Sequence, residues 1–251
     1  MNNPAQEQHQ FITTSIGNIA VYINEVATTD LPIIFLHGVY FDHHLWDHQI
    51  EHLNHRTTIA IDMPLHGNSR TSISSNWTLD DCAIMLLEIL DSLHLKQVIA
   101  VGHSWGSMTI LRAASKFPQR FSSIGFCNMP FLAASKKQES IFAMQHALLM
   151  FRNFYTRQTA KFLFGKSSLK NNPMLLNQLK RTMGVLTKQQ IIQIDEAVII
   201  KAKDVTDLIR NLTVKAIAIK GKEDYVPIPP RIKIIVVEGG HVSPLKNHKR
   251  C

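Results

Sequence analysis

The amino-acid sequence predicts an α/β fold: a mostly parallel sheet flanked by helices, with a helical cap inserted into it. Short β-branched runs alternate with longer helical patterns over much of the chain, which is typical of β-α-β units. The runs Ile33–Leu36, Val98–Val101 and Val214–Ile219 are continuously apolar, as expected for strands covered on both faces. From residue 131 to residue 211 this alternation stops and helical patterning replaces it.

The chain has 251 residues, of which 45% are hydrophobic and 18% charged. This length is enough for one sizeable domain, and the composition is that of a globular protein rather than a disordered one. We expect residues 1–130 and 212–251 to form the α/β core and residues 131–211 to form the cap.

Eight segments are predicted strands, and their order along the chain defines the sheet elements. They are Phe11–Ser15, Ile19–Asn24, Ile33–Leu36, Thr58–Ile61, Val98–Val101, Ser123–Cys127, Val214–Ile219 and Ile232–Val237. A turn at Gly17 and Asn18 predicts that the first two form a hairpin at the sheet edge.

Two stretches have apolar residues at helical spacing. The first is Leu79–Leu93, which Thr78 precedes as a candidate N-cap. The second lies in the cap, where Ile141, Met144 and Phe151 belong to one helical repeat. Because strand patterning resumes at Val214, the cap should leave the sheet and return to it, and so cover one end of the strands.

The N-terminus is polar and lacks the apolar stretch of a signal peptide, and no run approaches the roughly 18 apolar residues of a membrane helix. We therefore expect a cytoplasmic protein without a membrane span. Its three cysteines, Cys82, Cys127 and Cys251, show no CxxC spacing. They predict buried free thiols rather than disulfides or a zinc site.

The net charge is +8, and a positive field attracts acidic partners. The basic residues are spread from Lys96 to Arg250 without a nucleic-acid motif, so we expect no nucleic-acid partner. Ordinary surface charge is the favoured interpretation, and an acidic carrier protein stays open as a partner.

The motif GHSWG at residues 102–106 is the strongest functional signal, because a hydrophobic strand precedes it and a helical pattern follows it. A serine at a sharp strand-to-helix turn exposes its Oγ, and the helix N-terminus stabilises a developing negative charge. Ser104 is therefore the candidate nucleophile.

With this motif the chain resembles the α/β-hydrolase family from about residue 11 to residue 245. A second mark is His37-Gly38 after a strand, which is similar to the family's HG oxyanion loop. The resemblance implies that the backbone N–H groups of Val39 and Trp105 form the oxyanion hole. It also implies that His37 shapes the loop rather than acting as a base.

A third mark is the turn DMPLHGNS at residues 62–69, similar to the family's D-x-P-G-x-G-x-S. It departs from that pattern at Leu65, where the family commonly has glycine. The segment is structural in the family, so Asp62 and His66 receive no catalytic role.

The resemblance implies the order serine, acid, histidine along the chain. GKEDYVP at residues 221–227 resembles the family's G-x-x-D-x-x-V-P and selects Asp224, with Glu223 as the local competitor. The stretch Cys127–Met129, where some members carry the acid, has no carboxylate. The GGH ending at residues 239–241 selects His241 as the base.

A competing constellation is His44, His48 and His52, which recur every four residues. Three imidazoles on successive turns span about 12 Å, too far to bind one metal ion, although a pair could. A solvated histidine face is favoured. We predict no metal and no cofactor.

The resemblance is strongest to esterases and enol-lactonases, and it predicts hydrolysis of a small-molecule ester or thioester through an acyl-enzyme. Trp105 and five apolar cap residues are candidates for an acyl pocket or for cap core: Phe131, Phe151, Phe154, Leu163 and Phe164. The serine nucleophile argues against the epoxide hydrolase and haloalkane dehalogenase branches, whose nucleophile is an aspartate. Carrier-protein methyl esterase, cofactor-free haloperoxidase and non-catalytic binding protein remain alternatives.

The C-terminal end is expected to be shortened. The connection between the last two predicted strands contains Pro227, Pro229 and Pro230, which cannot support a covering helix. One flank of the sheet should then be thinly covered, which would favour a homodimer or a less stable protein.

Overall fold

A computed structural model of the protein describes residues 9–245, without the side chains of residues 166 and 167. Its eight strands form one sheet in the spatial order β1-β2-β4-β3-β5-β6-β7-β8. The strands are β1 (Gln10–Thr13), β2 (Asn18–Asn24), β3 (Ile33–Leu36), β4 (Thr58–Ile61), β5 (Val98–His103), β6 (Phe121–Cys127), β7 (Lys215–Gly221) and β8 (Lys233–Val237). β2 runs antiparallel to both of its neighbours, whereas β3 to β8 are parallel. The predicted fold class and hairpin are confirmed.

The helices fall into two groups. The first group connects strands β3 to β6 and consists of α1 (Asp47–His52), α2 (Leu79–Ser92) and α3 (Trp105–Lys116). Those between β6 and β7 are α4 (Lys136–Ala147), α5 (Arg152–Asn171), α6 (Met174–Gly184), α7 (Lys188–Asp195) and α8 (Thr206–Arg210). We refer to residues 136–210 as the helical segment.

Helix α2 begins where the sequence predicts, because Thr78 forms a reciprocal cap. The Thr78 hydroxyl accepts a hydrogen bond from the Asp81 backbone N–H, and the Asp81 carboxylate accepts one from the Thr78 backbone. Its apolar side, which includes Met85 and Ile89, is completely buried. This N-cap therefore fixes the start of α2, which packs beside α3.

A buried carboxylate organises the loops at the carboxyl ends of the strands. Asp62 Oδ1 accepts hydrogen bonds from the His43 backbone N–H at 2.9 Å and from its Nδ1 at 2.8 Å. Oδ2 accepts from the Tyr22 hydroxyl at 2.9 Å and the Asn68 N–H at 2.7 Å. Burial by itself raises the pKa of Asp62, but these hydrogen bonds outweigh it and lower the pKa to about 2.

The helical segment does not bury all the apolar residues that its spacing suggested. Phe151 is 58% exposed and Phe154 is 51% exposed, so their assignment to cap core is wrong, whereas an acyl pocket stays a prediction. Phe151 lies at the junction between a 3₁₀ turn and α5, whereas Tyr155, Leu163 and Phe164 within α5 are buried. Met144 on α4 is likewise exposed.

The connection from β7 to β8 is an extended loop, and residues 222–232 contain no helix. β8 is an edge strand of the sheet, and Val236 on it is 54% exposed. The thin cover predicted for this flank is present. A homodimer through it stays a prediction.

The remaining composition-based expectations have simple outcomes. None of the helices between residues 9 and 245 is long and apolar enough to cross a membrane. Cys82 and Cys127 are buried, and neither forms a disulfide within residues 9–245. Cys251 lies outside the described residues.

The lowered pKa of Asp62 predicts a pH-dependent stability. A carboxyl group with a folded pKa of about 2 and an ordinary value of 3.8 stabilises the fold above about pH 4. The advantage of wild type over Asp62→Asn should therefore shrink by about 2 kcal/mol as the pH falls from about 5 to about 2. Urea unfolding at several pH values measures this. Asp207→Asn, at an exposed carboxylate, is the control that should track wild type. Parallel curves for wild type and Asp62→Asn would contradict the assignment.

Candidate active site

Ser104 lies at a sharp turn between β5 and α3. Its backbone has φ 48° and ψ −109°, a region that residues with a Cβ rarely occupy. The Ser104 N–H donates to the Cys127 carbonyl of β6 at 2.9 Å, which holds the turn against the sheet. The strained conformation presents Oγ beyond the carboxyl end of the strand, as the sequence predicts.

Two glycines make this turn possible. A Cβ on Gly102 would lie 2.4 Å from the Ser107 backbone nitrogen, and one on Gly106 would lie 2.2 Å from the Leu36 carbonyl oxygen. Both distances are far below van der Waals contact, and both obstacles are backbone atoms. Only glycine lets α3 start this close to β3 and β5.

The structure brings the three predicted site residues together. His241, on the loop after β8, places Nε2 2.9 Å from Ser104 Oγ. Its Nδ1 lies 2.9 Å from Oδ1 of Asp224, which follows β7. All three side chains are buried, and Ser104 is only 5% exposed. If Nδ1 carries the proton and donates to Asp224, Nε2 is free to accept the Ser104 proton.

Asp224 is held as an anion. Burial by itself raises its pKa, but hydrogen bonds from His241, from Asn128 at 2.7 Å and from the Val226 N–H at 3.2 Å lower it below the ordinary value. Glu223, one residue earlier, is exposed, and its carboxylate lies near Gly165 of α5. The local competitor is thus not the carboxylate beside His241.

Asn128 and His103 are positioning residues that the sequence reasoning missed. Asn128, with φ 51° at the end of β6, donates to Asp224 and accepts from the Ser243 hydroxyl. The Nε2 atom of His103 lies 2.8 Å from the backbone carbonyl oxygen of His241, close enough for a hydrogen bond. The sequence feature that points to Asn128 is its position at the carboxyl end of β6, where an amide can hydrogen-bond the acid that follows the neighbouring strand.

Two backbone N–H groups face the site without an acceptor. In the hydrogen bonds of residues 9–245, neither the Val39 nor the Trp105 N–H donates, and Trp105 is the first residue of α3. The N–H of the residue after each of them is occupied: the Tyr40 N–H donates to His66 Nε2 at 2.9 Å, and the Gly106 N–H donates to the His37 carbonyl at 3.1 Å. An oxyanion would satisfy the two free donors.

The histidines around this loop are held neutral. Burial lowers the pKa of His37 to about 3 and that of His66 to about 4. Both rings are engaged on both nitrogens, since Nε2 of His37 accepts from the Met63 N–H at 2.9 Å and Nδ1 of each ring bonds a carbonyl. These residues shape the loop.

The helical segment is tied to the loop through a buried carboxylate. Asp195, at the end of α7, accepts hydrogen bonds from the Tyr40 hydroxyl, from the Tyr155 hydroxyl at 3.0 Å and from His146 at 2.9 Å. The Thr182 hydroxyl donates to the Tyr40 carbonyl at 2.6 Å. Because Tyr40 adjoins Val39, these hydrogen bonds connect the helical segment to the loop that carries the Val39 N–H.

Four of the apolar residues predicted for an acyl pocket or cap core are buried. They are Trp105, Phe131, Leu163 and Phe164. Tyr225 stacks on His241 with ring centroids 4.8 Å apart. The imidazole is therefore braced by an aromatic face as well as by its hydrogen bonds.

The three regularly spaced histidines do not converge. His44 pairs with Asp47 at 3.0 Å and His48 with Glu51 at 3.8 Å, whereas His52 donates to the His48 carbonyl. Nowhere in the described ranges do three or more histidine, cysteine or acidic side chains form a metal-binding group.

A sharp serine turn on a parallel sheet, followed by an acid and a histidine on later strands, defines a hydrolase-type architecture. A family model described as alpha/beta hydrolase fold matches residues 32–170, more than half of the chain. The chain therefore belongs to the alpha/beta hydrolase fold family.

Curated relatives include an (E)-2-((N-methylformamido)methylene)succinate hydrolase from Acinetobacter baylyi, 28% identical over 47% of this chain and 44% of that protein. Epoxide hydrolase 4 from Mus musculus is 23% identical over 64% of this chain and 45% of that protein. The chain spans less than half the length of these two relatives.

Among solved structures, an enol-lactonase from Burkholderia xenovorans LB400 superposes with a TM-score of 0.83. The superposition covers 96% of this chain and 95% of that chain, at 16% identity. At this identity the match shows the fold alone.

The glycine contact predicts a large stability loss. Gly106→Ala should lower the free energy of unfolding by about 3 kcal/mol or more, because its Cβ would overlap the Leu36 backbone. Gly125→Ala on β6 is the matched control, since its Cβ would meet Val101 at an ordinary 3.4 Å. We expect that change to stay within about 0.5 kcal/mol in urea unfolding. Equal losses for the two variants would contradict the packing argument.

Proposed function

We propose that the protein is a serine hydrolase that cleaves a small-molecule carboxylic ester or thioester through an acyl-enzyme. One observation carries this proposal: the two successive 2.9 Å hydrogen bonds that connect Ser104, His241 and Asp224. The same three groups, hydrogen-bonded in this spatial sequence, perform acyl transfer on unrelated scaffolds.

In the proposed mechanism, His241 Nε2 removes the Ser104 proton as Oγ attacks the carbonyl carbon. The carbonyl oxygen becomes an oxyanion and accepts hydrogen bonds from the Val39 and Trp105 N–H groups. The protonated His241 then donates its proton to the departing alcohol or thiol. Asp224 stabilises the imidazolium and holds the ring in the required tautomer.

Deacylation repeats these steps with water. His241 takes a proton from the water, whose oxygen attacks the acyl carbon, and returns the proton to Ser104 Oγ as the acid leaves. The proposal assigns no metal or cofactor to either half of the reaction.

The site favours this reaction over epoxide opening, although an epoxide hydrolase is among the relatives. By resemblance, that branch attacks with an aspartate, whereas this chain places Ser104 at the turn. Cofactor-free haloperoxidase and carrier-protein methyl esterase use the same three residues and remain alternative activities. A non-catalytic binding protein is the alternative outside the enzymes.

The domain division, localisation and partners are also proposals. We assign residues 131–211 to a cap over the core formed by residues 1–130 and 212–251, and the protein to the cytoplasm. The partner is a small-molecule ester; an acidic carrier protein and a homodimer through the exposed β8 are further candidates, supported by the charge of +8 and the exposure of Val236.

Ser104→Ala should abolish hydrolysis of short p-nitrophenyl esters and labelling by a fluorophosphonate probe. The fold should persist, because the side chain contributes little packing. Initial rates, probe labelling and the melting temperature measure the three properties. Wild-type protein that is folded but neither labelled nor active would favour the non-catalytic alternative.

Asp224→Asn should lower kcat by about 10⁴, since the amide would favour the wrong tautomer of His241. Glu223→Gln is the matched control one residue away, and its kcat should stay within about threefold because this side chain is exposed. Steady-state kinetics on the same esters compare them. The reverse ranking would move the acid to Glu223.

A further inference from the structure

A cavity of about 760 Å³ lies away from the serine, between the start of α2, the middle of α3 and the helical segment. We call it the side cavity. Its lining includes Trp77, Arg112, Ile192, Ala197, Lys203 and Leu208, but neither Ser104 nor His241. A volume of this size accommodates a small organic ligand.

Arg112 is a buried cation in the wall of this cavity. It follows Ser104 by eight residues, which places it about 12 Å further along α3. It is 4% exposed, and its Nη1 donates to the Met108 carbonyl at 3.0 Å. That carbonyl is its one hydrogen-bond acceptor in the described structure, although a guanidinium has five N–H donors.

The acidic residues around the side cavity do not neutralise Arg112. Asp80 pairs with Lys116 at 2.9 Å, and Glu196 pairs with Lys201 at 2.6 Å. Asp204 accepts from the Thr206 N–H at 2.8 Å. Burial lowers the pKa of Arg112, and the charge of nearby Asp80, whose ion pair is with Lys116, offsets only part of this shift.

Lys203 adds a second positive group at the side cavity. It is exposed, and it makes no ion pair or hydrogen bond with the residues that the structure describes. Apolar surface for a ligand body is present in one part of the wall, formed by Trp77, Ile192, Val205 and Leu208. Inorganic phosphate would leave most of this volume and apolar surface unused.

We propose that the side cavity is a binding site for a small organic carboxylate, with the carboxylate on Arg112 and the apolar body against Trp77. A planar guanidinium binds a carboxylate through two parallel hydrogen bonds, and burial strengthens them. The site is separate from the serine and does not depend on the proposed ester hydrolysis.

Trp77 gives the site an optical signal. Its ring stacks on Trp105 at 5.2 Å with an interplanar angle of 9°. A ligand against Trp77 changes the surroundings of this stacked pair, so tryptophan emission should change with occupancy.

The first test compares three probes on wild-type protein by calorimetry and tryptophan emission. Phenylacetate should bind saturably at one site. Phenylacetamide, which has the same body without the charge, and inorganic phosphate, which has charge without the body, should each bind at least about tenfold more weakly. Equal affinity for phenylacetate and phenylacetamide, tighter binding of phosphate, or no saturable binding of phenylacetate would overturn the proposal.

The second test locates the bound probe. Arg112→Gln should weaken phenylacetate binding by about tenfold or more, whereas Arg56→Gln, the same change at a surface ion pair, should leave it unchanged. Ala197→Phe adds a ring to the wall of the side cavity without altering charge and should also weaken phenylacetate binding by about tenfold or more. If Arg112→Gln does not fold, the Ala197→Phe variant alone tests whether phenylacetate binds in the side cavity. Wild-type affinity in either cavity variant would place phenylacetate elsewhere, including at Ser104, and overturn the assignment.

Discussion

The contact between the Gly106 backbone and Leu36 of β3 is the constraint on which the rest of the site depends. It brings the first turn of α3 against the strand that carries the His37–Tyr40 loop, and the Gly106 N–H then bonds the His37 carbonyl at 3.1 Å. The two free N–H groups, one on each element, are therefore set relative to each other by a backbone contact. No side-chain rotamer can loosen this arrangement, and the strained Ser104 backbone is held by the same packing.

In this buried region the histidines are neutral, whereas the aspartates remain negatively charged. The imidazoles of His37, His66 and His103 lose their charge, since burial lowers the pKa of each well below that of a free histidine. The carboxylates of Asp62 and Asp224 keep theirs, because several hydrogen-bond donors converge on each. Negative charge is thus retained where donors are dense, and the surrounding histidines serve as neutral spacers. This leaves His241 facing one anion, without a competing cation among those neighbours.

Much of the fold could be predicted because its signals are local. The eight strands follow from apolar runs, and Ser104, Asp224 and His241 follow from short motifs that the structure brings together. Asn128 could not be selected in this way, since its role depends on which strand lies beside β7. The exposure of Phe151 depends on how a helix rotates at a junction, which spacing does not determine. The isolation of Arg112 depends on acids elsewhere already having partners.

The connection from Asp195 to Tyr40 has a consequence for the loop beside Ser104. Any outward movement of the helical segment would break the hydrogen bonds that hold this loop. That movement separates Asp195 from the Tyr40 hydroxyl and Thr182 from the Tyr40 carbonyl, next to the Val39 N–H. Outward movement of the helical segment would therefore also release the loop that carries the Val39 N–H. A ligand bound with the segment closed would keep both hydrogen bonds, so its binding and the order of the loop would be coupled.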